Sequence, residues 1–477
     1  MNRYKKLASN TVVLALGQFG SKLLVVLLMR FYQNMLGEEG YGEISTIIDT
    51  ATLLMAFATL SIGESIIRFG LDRAYNNSQV FSIGVKVTLI GTSIGFLIVP
   101  ALDLTAGLMP DNKVLALLNQ YSWITAVYVF TGGMKSTCAL FVRSNGNVRL
   151  YAMDGIFTTV MNILFNLLFL LAFKWGNMGY LLSVICADVC SILFLTYMGR
   201  LKKYFALIGT DRSVRKAMIS FALPMIPTTV MWWIINASDT FFVSEMLGFA
   251  QSGMYKAAYR LPNMIALLSG IFSQAWNMSA ISEKNSRTIA KFYSDVFSAF
   301  QSIVFVVGSG MLLVIRPFIS VFCAKQFHMA YIYTPFLVLA VVYSCFATFM
   351  GSIYVASKQS KRSLLTTSVG AAINILLNAS FIPVLGNHGA AIATCVSFIT
   401  VFIIRAFDTR QTVYMNLRLR KLCTNTICLI AMGLVIIFVK NDIVFYLVLA
   451  AVFMLMLMLN FKACVKIVMQ IIGKKNK

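Results

Sequence analysis

The chain has 477 residues, of which 59% are hydrophobic and 12% charged, with a mean hydropathy of +0.80 and a net charge of +23. Soluble proteins carry about 25% charged residues, so this composition excludes a soluble globular fold: most of the chain has no water to face. Long continuous apolar runs exclude a membrane β-barrel as well, whose strands alternate over about 10 residues, and leave an all-α polytopic membrane protein as the fold class.

A transmembrane helix needs roughly 20 mainly apolar residues. Fourteen such stretches are predicted, centred near residues 18, 54, 92, 131, 163, 188, 226, 264, 304, 343, 374, 397, 430 and 455. The first has no small-residue cleavage motif and is read as a membrane helix, not a signal peptide. With the start of the chain assigned to the cytoplasm, about 29 of the 40 Lys and Arg fall in cytoplasmic segments, Arg405 among them. Six fall in external loops: Arg30, Lys113, Lys174, Arg316, Lys325 and Lys440. That alternation follows the positive-inside rule and predicts an even helix count with both termini cytoplasmic. The basic excess is therefore topology plus attraction to anionic lipid headgroups, and no nucleic-acid partner is expected.

The chain repeats itself. Asn162, Ile163, Leu164, Asn166 and Phe169 return as Asn374, Ile375, Leu376, Asn378 and Phe381 at an offset of 212. Gly176, Asn177 and Gly179 return as Gly386, Asn387 and Gly389 at 210, and MLGEEGYG (Met35–Gly42) returns as MLGFAQSG (Met246–Gly253) at 211. The matches lie six predicted helices apart, so the halves are parallel repeats, an arrangement typical of transporters with a site between the halves. The expected organisation is a six-helix lobe over 1–200, a basic cytoplasmic linker over 201–216, a second six-helix lobe over 217–407, and two further helices with a basic tail over 408–477. Gly176 and Gly386 sit in short turns where left-handed backbone is expected. Pro224 and Pro227 break the start of the seventh stretch and Pro262 interrupts the eighth, while the first two contain no Pro. The second half is the one expected to bend.

Charges at membrane depth are costly and usually face an interior or a wet cavity. The candidates are Lys22, Asp49, Glu64, Lys135, Asp188, Lys256 and Arg260, whereas Lys86, Asp154, Asp239 and Asp295 are assigned to helix ends, where snorkelling or capping explains them. Lys256, Arg260 and Asn263 are spaced i, i+4, i+7 and share one helical face. Two cations on one face call for an anion, which a phosphate ligand supplies, with Arg offering a bidentate fork. The repeat maps this face onto Ser45, Asp49 and Thr52, so Asp49 stands opposite Arg260, either pairing with it or carrying a coupling proton or sodium ion; Glu64 and Asp188 are further coupling or gating candidates. Lys22, with no acid at i±3 or i±4, completes the expected basic lining. No ATP-binding loop of the form G-x-x-x-x-G-K-[ST] is present. The nine Cys lie mostly in apolar runs and indicate neither a disulfide framework nor a metal site. Nothing in the short external loops suggests catalytic residues, and no enzyme activity or cofactor is expected beyond a coupling ion.

The opening VVLALGQFGSKLLVVLLMRFYQNMLGEEGYGEIS, then FALPMIPTTV, SDTFFVSEMLGFAQSGMYKAAYRLPN and the GN-x-G turns, resembles the bacterial polysaccharide flippases of the Wzx type. That family belongs to the superfamily of the MATE drug exporters and the MurJ-type lipid II flippases. The resemblance implies a V-shaped pair of six-helix lobes around a central cavity, plus two C-terminal helices. It also implies alternating access that carries an undecaprenyl-diphosphate-linked oligosaccharide from the inner to the outer leaflet of the bacterial cell membrane. Implied partners are that lipid-linked glycan, membrane lipids, and the polymerase and glycosyltransferases of the same glycan. MurJ-type relatives line the cavity with bases on their first, second and eighth helices; Lys22 and Arg260 match, whereas Asp49 departs from the pattern. The alternatives are a lipid II flippase and a cation-coupled drug exporter, which would carry acids in its cavity.

Overall fold

The computed structural model describes residues 24, 26–72, 74–206, 209–282, 289–357 and 359–473. The described residues form helices joined by short turns, with no strand among them. In chain order these are α1 (Met29–Ala58), α2 (Ile62–Gly70), α3 (Asn77–Gly95), α4 (Ile98–Leu108), α5 (Lys113–Gln120), α6 (Ser122–Ser144), α7 (Val148–Asn166) and α8 (Gly176–Met198). There follow α9 (Arg212–Ala222), α10 (Met225–Leu247), α11 (Phe249–Ser282), α12 (Ile289–Leu313), α13 (Ile315–Phe322), α14 (Thr334–Ser357), α15 (Ser360–Leu385), α16 (Asn387–Asp408), α17 (Leu419–Phe438) and α18 (Asp442–Gly473).

Ten of these helices or helix runs are long and apolar enough to cross a membrane, or twelve if the bent pairs α1–α2 and α5–α6 each count as one. The expected count of fourteen differs for two reasons. The stretch around residue 18 lies outside the described residues. The stretch around residue 264 is a single 34-residue helix, α11, long enough but too polar to join the apolar set.

The chain separates into two compact units, residues 1–233 with 247–253, and residues 234–246 with 254–477. In the first unit, α6 packs against α3 and α8, and α7 against α8. Its apolar core gathers Ile62, Ile66, Val80, Phe81, Phe141, Leu195 and Met218, the last from α9, whose Arg212, Arg215 and Lys216 stay exposed. In the second unit α16 packs against α14 and α15. The last two helices are tied to it by polar contacts: Tyr343 Oη with Thr426 Oγ1 at 2.8 Å, Lys421 Nζ donating to Ser302 Oγ at 2.7 Å, and Arg316 with Asp442 at 2.7 Å. Asn425 and Asn460 exchange amide hydrogen bonds at 3.3 and 3.0 Å between α17 and α18.

The repeat is visible in packing. A Cβ on Gly42 would lie 1.9 Å from Phe249 O, and a Cβ on Gly253 would lie 2.3 Å from Glu38 O. Glu38 and Phe249 are related by the same offset of 211 as the two glycines. The contacts are therefore reciprocal, as at a two-fold interface, between two repeat-equivalent segments that both belong to the first unit. The GN-x-G turns also agree: Gly176 and Gly386 have φ of +52° and +59°, and Gly179 and Gly389 press against the carbonyl oxygens of the equivalent Phe169 and Phe381.

Bending runs against the proline expectation. Pro224 does end α9, and Pro227 sits in the first turn of α10, where its missing N–H costs nothing. But α11 continues through Pro262. The Ala258 carbonyl freed by that proline shares the Thr334 hydroxyl, at 3.4 Å, with Ala330 O at 3.3 Å, which offsets part of the loss. The proline-free α1–α2 span is instead bent by 56°. There Ser61 N–H bonds Ala56 O at 3.1 Å and Leu60 N–H bonds Phe57 O at 3.0 Å, the pattern of a Schellman cap. Leu60 and Ser61 have φ of +51° and +50°, a left-handed conformation that costs an L-residue roughly 1–2 kcal/mol. Gly37 within α1 is also non-helical, with φ +71°.

Arg405, expected in a cytoplasmic segment, is a buried residue of α16. Its guanidinium donates to Thr366 Oγ1 at 3.1 Å, Ala347 O at 2.8 Å and Thr367 Oγ1 at 2.8 Å. Gly351 makes room for it, since a Cβ there would stand 2.8 Å from Nη1.

Candidate functional site

The predicted site residues divide between the two units. Lys22 lies outside the described residues. Asp49, Glu64 and Asp188 belong to the first unit, and Lys256, Arg260 and Asn263 to the second.

Asp188 on α8 is buried and accepts a hydrogen bond from Lys135 Nζ of α6 at 2.7 Å. The pair is the counterpart each charge needs at this depth. Breaking such a pair leaves an uncompensated charge, at about 3–5 kcal/mol. Asp154, expected at a helix end, is instead buried and accepts from Ser191 Oγ at 2.6 Å. Asp49 is half-buried on α1, and its main-chain oxygen accepts from Trp233 Nε1 at 2.8 Å. Ser45, Thr50 and Thr52 around it return their hydroxyls to carbonyls four residues earlier. Glu64 is exposed in the first turn of α2, where a carboxylate suits the helix dipole.

On α11, Lys256 and Arg260 are half-buried and Asn263 is exposed, whereas Tyr255, Ala257, Ala258, Tyr259 and Leu261 are buried. Lys256, Arg260 and Asn263 are thus less buried than the residues between them on the same helix.

The buried side of the same helix leads to a residue assigned above to a helix end. Asp239 lies inside α10, 1% exposed, where hydroxyl and amide groups surround it. One carboxylate oxygen accepts from Tyr255 Oη at 2.6 Å and from Thr394 Oγ1. The other accepts from Asn378 Nδ2 at 2.6 Å and Asn374 Nδ2 at 3.3 Å. Ser238 Oγ in turn donates to Asn374 Oδ1 at 2.6 Å. These four donors to the carboxylate are all neutral. Asn378 Oδ1 is buried with no hydrogen-bond partner. The four donors occupy the lone-pair sites of the carboxylate, so a proton or a small monovalent cation would enter only where the Tyr255 or Thr394 hydroxyl turns its own oxygen toward it. Among the described residues no group of three His, Cys, Asp or Glu could hold a metal of higher charge.

The two asparagines are the repeat-matched pair of the sequence. In the first half their equivalents, Asn162 and Asn166, bond to each other, and the position equivalent to Asp239 is Leu28. Shared scaffold thus carries an acid in one half only. The signal available in the sequence was the polar pair returning inside apolar spans, together with an Asp in NASDTFF.

A family model described as polysaccharide biosynthesis protein matches residues 7–277, more than half of the chain. No match was found among curated protein sequences. Among solved structures, the chain is similar to an inward-facing multidrug resistance MATE family transporter of the MOP superfamily (TM-score 0.66, 15% identity, covering 84% of this chain and 95% of that one). It is similar to the lipid II flippase MurJ in an inward closed conformation (TM-score 0.65, 14% identity, 93% and 98%). It is also similar to the MATE multidrug transporter DinF-BH (TM-score 0.63, 18% identity, 87% and 98%). At these identities the structural likeness establishes the fold, and the family match carries the rest: this multi-pass membrane chain belongs to the polysaccharide biosynthesis protein family and has the fold of the MOP-superfamily transporters.

Proposed function

We propose that the chain is a flippase for an undecaprenyl-diphosphate-linked oligosaccharide, moving it from the inner to the outer leaflet of a bacterial cell membrane for surface polysaccharide assembly. The observation that carries this reading is the half-buried cationic face of α11 in a chain of the polysaccharide family. Moving a diphosphate and its sugars through hydrocarbon would desolvate charges and many hydroxyls, at several kcal/mol or more. Lys256 supplies a point charge and Arg260 a bidentate donor for the diphosphate, and Asn263 one turn further can address a sugar hydroxyl. With no ATP-binding loop in the sequence, the work falls to an ion gradient or to downstream consumption of the product. Asp239, with Asn374, Asn378 and Thr394, would hold the coupling proton or cation. That role passes from Asp188, whose charge Lys135 already answers.

The test is flipping of a lipid-linked oligosaccharide in proteoliposomes, read by its protection from a membrane-impermeant oxidant. Arg260→Gln and Lys256→Gln should each slow flipping at least tenfold, the worth of one charge-assisted hydrogen bond. Wild-type rates in both glutamine variants, or transport of a fluorescent organic cation instead of the glycolipid, would overturn the reading.

A further inference from the structure

The first unit contains a groove of about 680 Å³ that the proposed transport cycle does not use. One wall is a face of α3: Ile83, Val87, Ile90, Ile94 and, just past its end, Ile98. Leu54, Phe57, Ala58 and Leu60, at the broken end of α1, form the other. Its floor is a tight contact, since a Cβ on Gly91 would lie 1.8 Å from Ala58 O. The span from Ile83 to Ile98 is about 22 Å long at 1.5 Å per residue, and Ile90 and Ile94 are 63% and 59% exposed along it. Only one end is charged, where Lys86 of α3 and Arg215 of the amphipathic α9 join the lining. No ion pair joins either of them to an acid among the described residues.

We infer that this groove is a binding site for one acyl chain of an anionic phospholipid, with its phosphate held between Lys86 and Arg215. An acyl chain gains no hydrophobic free energy on leaving lipid for an equally apolar wall. The groove alone therefore selects no lipid, and discrimination must come from the charged end. Cations at the interface favour anionic headgroups over zwitterionic ones, and the Arg215 fork matches a phosphate diester. Lys86 is the cation that α3 contributes to this lining. The strained turn at Leu60–Ser61 forms part of the wall, so an occupied groove would brace the break between α1 and α2.

The full chain, purified in mild detergent, would be titrated with phosphatidylglycerol and with phosphatidylcholine of the same acyl chains, with bound lipid counted by native mass spectrometry. Phosphatidylglycerol should bind about 30-fold more tightly, from two cations near the surface. Lys86→Gln with Arg215→Gln should erase that preference, whereas Lys202→Gln with Lys203→Gln, outside the groove, should keep it. Ile90→Trp should exclude both lipids by filling the groove, and an unchanged melting profile would show that the variants are folded. Equal binding of the two lipids by the wild type, a preference that survives the Lys86/Arg215 change, or retention of an isoprenoid phosphate in place of the phospholipid would each overturn the proposal.

Discussion

Replacing Asp239 separates a coupling site from a structural knot. Its carboxylate accepts four hydrogen bonds, from Tyr255, Thr394, Asn374 and Asn378, in a site with almost no exposure. Asp239→Ala would strand all four donors. At about 1–3 kcal/mol for each buried unsatisfied group the loss is roughly 4–12 kcal/mol, comparable with the whole stability of an ordinary domain, about 5–15 kcal/mol. That variant should fail to accumulate and is uninformative about coupling. Asp239→Asn keeps the shape and one acceptor oxygen. The Tyr255 and Thr394 hydroxyls can turn to accept from the new NH₂, and Asn374 and Asn378 keep the remaining oxygen. The net cost should stay below about 2 kcal/mol, because weaker hydrogen bonds are offset by the removal of a buried charge. The variant should therefore be purified intact and bind lipid-linked glycan normally. Its flipping rate should no longer respond to a proton or sodium gradient imposed across the vesicle. If Asp239→Asn flips at the wild-type rate and keeps the wild-type response to both gradients, Asp239 is only a hydrogen-bond acceptor and the coupling argument fails.

Other consequences follow from packing. Gly42→Ala and Gly253→Ala each push a Cβ against main-chain oxygen, of Phe249 and Glu38. Backbone must move, so each should lose about 1–3 kcal/mol, and the reciprocity of the contact predicts similar falls in thermal midpoint. Lys135→Met should lower stability by about 3–5 kcal/mol through the stranded Asp188. The double change Lys135→Met with Asp188→Leu should recover most of it in a double-mutant cycle; additive losses would refute the pairing.

Much of the architecture was legible because bilayers impose long apolar runs and the duplication repeats its turns. Gly176 and Gly386 could be read as left-handed because the same dipeptide returned between the same helices. The spacing of Lys256, Arg260 and Asn263 put them on one face of the helix that became α11. What could not be read is long-range partnership. Asp239 looks like a cap until Asn374, Asn378 and Thr394, each more than 130 residues away, close around it. Pro262 looks like a break until Thr334 takes up the Ala258 carbonyl. The burial of Arg405 against Thr366 and Thr367 likewise has no local sign. The bend at Leu60–Ser61 carried no mark at all, because the usual sign of a Schellman cap is the glycine this chain does not use there.

That bend also sets how the second span comes apart. A helix opens cooperatively because each hydrogen bond holds its neighbours in register, and the cap at Leu60 ends one such ladder before the next begins at Ile62. The helical stretch from Gly37 to Ala58 and the nine residues of α2 are therefore separate units of local unfolding. Amide hydrogens of Ile62–Gly70 would exchange on their own clock, set by the apolar anchors Ile62, Ile66 and Phe69, while those between Gly37 and Ala58 keep another.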